Sequence, residues 1–147
     1  MTVNEKRIDD YLSRYATALA EFDAEAAVDL WSAPGMIADD QFSGVIETRD
    51  AMIQALEQSY PLYRQLGLAS VDYELFERSV LSERLVLVRV RWIFLDDEGD
   101  HLTDATSYYL LRDEEEGLRA VVCIETDSME KLQALAAEKG VELPPSE

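Results

Sequence analysis

Apolar side chains recur along this chain at two different periods, and the change of period divides it. From Arg7 onward, Ile8, Tyr11, Leu12, Tyr15, Leu19 and Phe22 recur at helical spacing over four turns. That is the spacing of one buried stripe on an α-helix. Asp23 is placed to cap a second, shorter helix over AEAAVDLW, with Ala27, Leu30 and Trp31 on one face and Pro34-Gly35 as its stop. The MIAD stretch reads as a short strand. Thr48 caps a third helix carrying Met52, Ile53, Leu56, Tyr60 and Tyr63, which Pro61 limits or kinks.

Past Gly67 the period becomes two. Val71, Tyr73 and Leu75 alternate with charged neighbours, and the alternation shifts around Phe76, which predicts a bulge in a long bent strand. In ERLVLVRVRWIFLDDEG, Val86, Val88, Val90, Trp92 and Phe94 share one face, with Arg89 and Arg91 on the other. DDEGD is a hairpin turn, HLTDATSYYLLR returns as the partner strand, and DEEEG turns again into LRAVVCIETD. SMEKLQALAAEKG is a last amphipathic helix with Met129, Leu132, Leu135 and Ala136 on one face and Gly140 as its stop.

Helices followed by consecutive long strands predict an α+β domain. We expect a strongly bent antiparallel sheet wrapped around the N-terminal helices, forming a cone with a pocket, plus a C-terminal helix. One domain accounts for residues 1–147, with a core over residues 7–127 and the last helix over 128–139.

Charge narrows the partners. There are 31 acidic and 13 basic side chains, a formal net charge of −18. Such a field repels phosphate backbones and anionic lipid, so neither nucleic acid nor membrane is expected as a partner. Cys123 is the sole cysteine, so no intrachain disulfide forms and a cytoplasmic location is expected. His101 sits beside a hairpin turn, and the acidic run from Asp96 to Asp100 lacks the order of a calcium loop, so no metal and no cofactor are expected.

The order of elements resembles the nuclear transport factor 2-like superfamily, also called the cystatin-like cone fold. The segment RYATALAEFDAEAAVDLWSAPGMIADD, from Arg14 to Asp40, carries most of the resemblance. It is similar to an opening made of an aromatic-bearing helix, a short acid-capped helix, and a strand that reaches an acidic pair. Among the catalytic branches, ketosteroid isomerase uses an Asp base with an oxyanion hole of Tyr and a protonated Asp. The resemblance places Tyr15 at the helix tyrosine and Asp39 at the base. At the third position stands Ser107, a weaker donor, and Asp104 should point to the opposite face. The scytalone dehydratase branch needs a histidine pair that this chain lacks. The Asp-Arg-Asp set of the epoxide hydrolase branch has no counterpart here.

Three functions follow. The first is binding of a small, mostly apolar molecule in a pocket lined by Tyr15, Val90, Trp92, Tyr109, Val122 and Ile124. The second is an isomerase or cyclase in which Asp39 removes a proton and Tyr15, with Ser107, stabilises an enolate. The third is a non-catalytic dimeric assembly domain. By strand alternation Cys123 faces away from the pocket together with Arg89, Arg91, Tyr108, Leu110, Val121 and Glu125. That mixed outer face is where a homodimer is expected to form.

Overall fold

In the computed structural model, which describes residues 4–142, the chain begins with helix α1 (Glu5–Ala20). Asn4 caps it by accepting a hydrogen bond from the Arg7 backbone N–H at 2.9 Å, and Ile8, Tyr11, Leu12 and Tyr15 are buried as their spacing requires. Helix α2 (Ala24–Val28) is capped by Asp23, whose side chain accepts from Ala26 N at 3.1 Å.

α2 is shorter than expected. Trp31 opens strand β1 (Trp31–Ala38) instead of lying on the helix. The Leu30 carbonyl accepts from the Tyr11 hydroxyl at 2.7 Å and from Ala120 N at 2.9 Å. Those two donors commit the chain to the sheet before a further helical turn can form. β1 runs through the cis Ala33–Pro34 bond and through Gly35. The Trp31 ring lies against Gly35 so closely that an added Cβ would fall 2.7 Å from it, so only glycine fits there.

After strand β2 (Ser43–Ile46), helix α3 (Arg49–Leu66) starts where the Thr48 hydroxyl accepts from Ala51 N at 3.1 Å. It continues through Pro61. The carbonyl that Pro61 leaves without an N–H partner belongs to Glu57, an exposed residue, so solvent can satisfy it. The helix ends at Gly67, which takes a left-handed φ of 98°.

Strands β3 (Ser70–Val80), β4 (Leu85–Leu95), β5 (His101–Glu114) and β6 (Gly117–Glu125) follow, then helix α4 (Ser128–Lys139). The sheet is curved and open, with the order β2-β1-β6-β5-β4-β3. Its pairs are antiparallel apart from β1 beside β6, which is parallel, so the sheet is mixed. Val86, Val88 and Val90 pack against Ile8 and Leu12 of α1 in one core. α4 docks Leu135 and Ala136 on Leu66 in a second cluster, while Met129, expected on the same face, is exposed.

Two bulges decide which side chains face inward. In β3 the register steps from Leu75 to Glu77, leaving Phe76 out of the core, as the broken alternation predicts. In β6 Leu111 pairs with Ala120 but Leu110 pairs with Val122, so Val121 is an extra residue. Leu118 and Ala120 face inward before it, and Cys123 after it. The expected orientation of β6 is therefore reversed beyond Val121: Cys123 is buried and Ile124 is 42% exposed.

Candidate functional site

The concave face of the sheet, α1, α3 and α4 enclose a cavity of about 340 Å³. Cross-strand pairing builds its floor in rows. Tyr109, Cys123 and Ile37 form one row and Ser107 and Glu125 the next, while Val88 and Val90, paired to the same rows, lie in the core behind them. Above the floor Tyr15 packs against Trp92 and Tyr109 with ring centroids 5.4 and 5.7 Å apart, and Tyr63 stacks on Phe94 at 6.3 Å. Such aromatic pairs stabilise the walls beyond the area they bury.

The polar groups are few and mostly tied to one another. Trp31 Nε1 donates to the Tyr15 hydroxyl at 2.8 Å, and Trp92 Nε1 donates to the Tyr109 hydroxyl at 3.0 Å. The fully buried Ser107 donates its hydroxyl to Glu125 Oε2 at 2.8 Å, and the Cys123 thiol approaches Oε1 at 3.5 Å. Burial, and after it the charge of Glu125 beside it, pushes the Cys123 thiol well up. Burial likewise raises Tyr15 and Tyr109, so these groups keep their protons. Tyr60 also lines the cavity. Its hydroxyl is buried with no hydrogen-bond partner among the described residues.

Beside α4 a second polar group forms an ion cluster. Asp104 accepts from Lys131 Nζ at 2.8 Å and from Arg91 Nη2 at 3.0 Å, with His101 Nε2 also at 3.0 Å. Burial works to raise its pKa, but the hydrogen bonds from Lys131, Arg91 and His101 outweigh that and hold the carboxyl at about 2. Asp104 is thus an anchor for α4. Among the described residues, no three His, Cys, Asp or Glu side chains converge as a metal site would need.

The structure brings Tyr15, Ser107, Trp92 and Tyr109 to this one cavity. It does not bring Asp39. β1 ends at Ala38, and exposed Asp39 turns its Oδ1 back onto the N–H groups of Gln41 and Phe42, both at 2.8 Å. Ile37 occupies the wall where strand alternation would have led to Asp39 two residues later. Val122 and Ile124 are on the outer face for the reason given by the β6 bulge, and Val90 is sealed in the core behind the wall. Glu125 lines the cavity although strand alternation placed it on the outer face. The apolar run Ala120–Ile124 makes either parity look buried, so only the bulge reveals its direction.

A family profile described as NTF2-like protein (DUF6841) matches residues 4–128 of this chain. The chain belongs to that NTF2-like family. Solved structures agree on the fold of this NTF2-like chain. An NTF-2 like protein of unknown function from Shewanella oneidensis MR-1 superposes with a TM-score of 0.67 at 17% identity, covering 83% of this chain and 98% of that one. A domain of unknown function with a cystatin-like fold from Nostoc punctiforme PCC 73102 gives 0.68 at 14% identity, covering 97% and 89%. A ketosteroid isomerase-like protein from Erwinia carotovora atroseptica SCRI1043 gives 0.62 at 16% identity, covering 84% and 97%. No functionally curated protein matches the chain. At these identities the NTF2-like relatives speak for architecture alone.

Proposed function

We propose that this NTF2-like protein binds a small, mostly apolar molecule inside its cone. The observation that carries this reading is the cavity itself: about 340 Å³, walled by Trp, Tyr and Phe rings, with few polar groups. Ligand sites commonly fall in a range of roughly 300–1,000 Å³ with this kind of lining. The unpartnered hydroxyl of Tyr60 adds support, because a buried polar atom without a partner calls for one. An isomerase built on Asp39 finds no support in the geometry, since that carboxylate is exposed and engaged in its own turn.

The test uses a neutral apolar fluorophore, N-phenylnaphthylamine. Its emission should shift to the blue and saturate at one probe per chain. Leu56→Trp, which fills the cavity from α3, should weaken binding about tenfold or more. Unsaturable emission, or binding indifferent to Leu56→Trp, would overturn the proposal.

A further inference from the structure

Among the described residues, three charged side chains line the cavity: Asp104, Lys131 and Glu125. The first two neutralise each other in the cluster beside α4, where Arg91 is also shared between Asp104 and Glu74. Glu125 has no such partner. Among the described residues no Lys, Arg or His forms an ion pair with it, and its protein donors are the Ser107 hydroxyl and the weak Cys123 thiol. One hydrogen bond to each oxygen leaves about half of a carboxylate's acceptor capacity free.

Glu125 is part-buried, and the fold holds its carboxyl group in place with a hydrogen bond from the fully buried Ser107. Tyr15, Tyr63 and Tyr109 line the same cavity as Glu125. Their rings offer the electron-rich faces that attract a cation. The whole chain, at −18, further concentrates cations around the cavity.

From these groups together we infer that the ligand is a hydrophobic amine, its aromatic or aliphatic body against the ring walls and its protonated nitrogen on Glu125. This rests on the cavity being a ligand site, and it adds the ligand's charge and the residue that reads it.

The experiment compares three probes of nearly one shape by displacement of N-phenylnaphthylamine near neutral pH. They are naphthylmethylamine (cationic), naphthylmethanol (neutral) and naphthoic acid (anionic). The expected order is amine tighter than alcohol by about tenfold or more, with the acid weakest. Glu125→Gln should bring the amine down to the alcohol while leaving the alcohol within about threefold, its fold checked by circular dichroism. The comparison on the unaltered protein stands even if that variant does not fold. Equal affinity for amine and alcohol, or preference for the acid, would overturn the amine assignment and leave the apolar pocket standing. Failure of N-phenylnaphthylamine and of all three probes to bind would overturn the pocket with it.

Discussion

Asp39 and Glu125 are both acidic residues at the end of a strand, and what separates them is where the strand stops. β1 ends one residue before Asp39, so its carboxylate is free to fold back and accept two backbone N–H groups of the turn. Aspartate favours this role because its short side chain can reach the amides two and three residues on. β6 continues through Glu125, which keeps that side chain in register opposite Ser107 and facing the cavity. Position in the ladder, more than residue type, assigns one carboxylate to the turn and the other to the site. Asp39→Ala should therefore cost about 1 kcal/mol in urea denaturation, the usual worth of such bonds. It should leave N-phenylnaphthylamine affinity unchanged within about twofold. A tenfold loss of affinity with unchanged stability would return Asp39 to the site.

At the level of elements, much of the fold could be read from hydrophobic spacing. The stripes of α1 and α3, the Thr48 cap, the bulge at Phe76 and the Val/Trp face of β4 all stand where the pattern put them. Each is carried by a clear contrast between apolar and charged neighbours. The misreadings fall where that contrast is missing. AEAAVDLW has helical composition throughout, so nothing local marks the two hydrogen bonds that end α2 at Val28. RAVVCIE is apolar at both parities, so an extra residue at Val121 passes unnoticed and reverses Cys123, Ile124 and Glu125 together. Of the cavity lining, Tyr15, Trp92, Ser107 and Tyr109 were legible, because they lie on elements with clean periods. Glu125, one of the cavity's two carboxylates, was hidden by one bulge. Asp104 was read as facing away from the pocket, and its partner on α4 could not be inferred because Lys131 is 27 residues distant.

That ion cluster makes α4 sensitive to acid. The Asp104 carboxyl titrates at about 2 in the folded chain, below its ordinary value of 3.8. A depressed acid contributes stability that is fully present above the unfolded pKa and is lost as pH falls through the folded one. The window is therefore from about pH 4 down to about pH 2, and stability should fall across it. Asp104→Asn should lose stability at neutral pH and flatten the acid limb of a Tm-versus-pH curve, since the titrating group is gone. An acid limb of unchanged steepness in that variant would assign the loss to other carboxylates.

For the molecule as a whole, the β6 bulge has a second effect, on the convex side of the sheet. With Cys123 and Glu125 turned inward, Val122 and Ile124 take their places outside, beside Tyr108 and Leu110. Met36 of β1 lies next to Val122, and Leu87 of β4 next to Leu110. The outer face is thus more apolar than strand alternation suggested, with Arg89 and Arg91 toward one side, engaged with Glu77 and Glu74. A contiguous apolar strip across four strands favours burial against a second, identical strip related by a twofold axis. We propose a homodimer through this face, which leaves both cavities on the far side of the sheet and open to ligand. Light scattering should give about twice the 16.7 kDa chain mass. Ile124→Glu places a charge in the middle of the strip at a position already 42% exposed, so the monomer should keep its fold. It should halve the mass in solution while leaving probe binding intact, because Ile124 does not touch the cavity. A monomeric mass for the unaltered chain at micromolar concentration would remove the dimer and leave the apolar strip to a different partner.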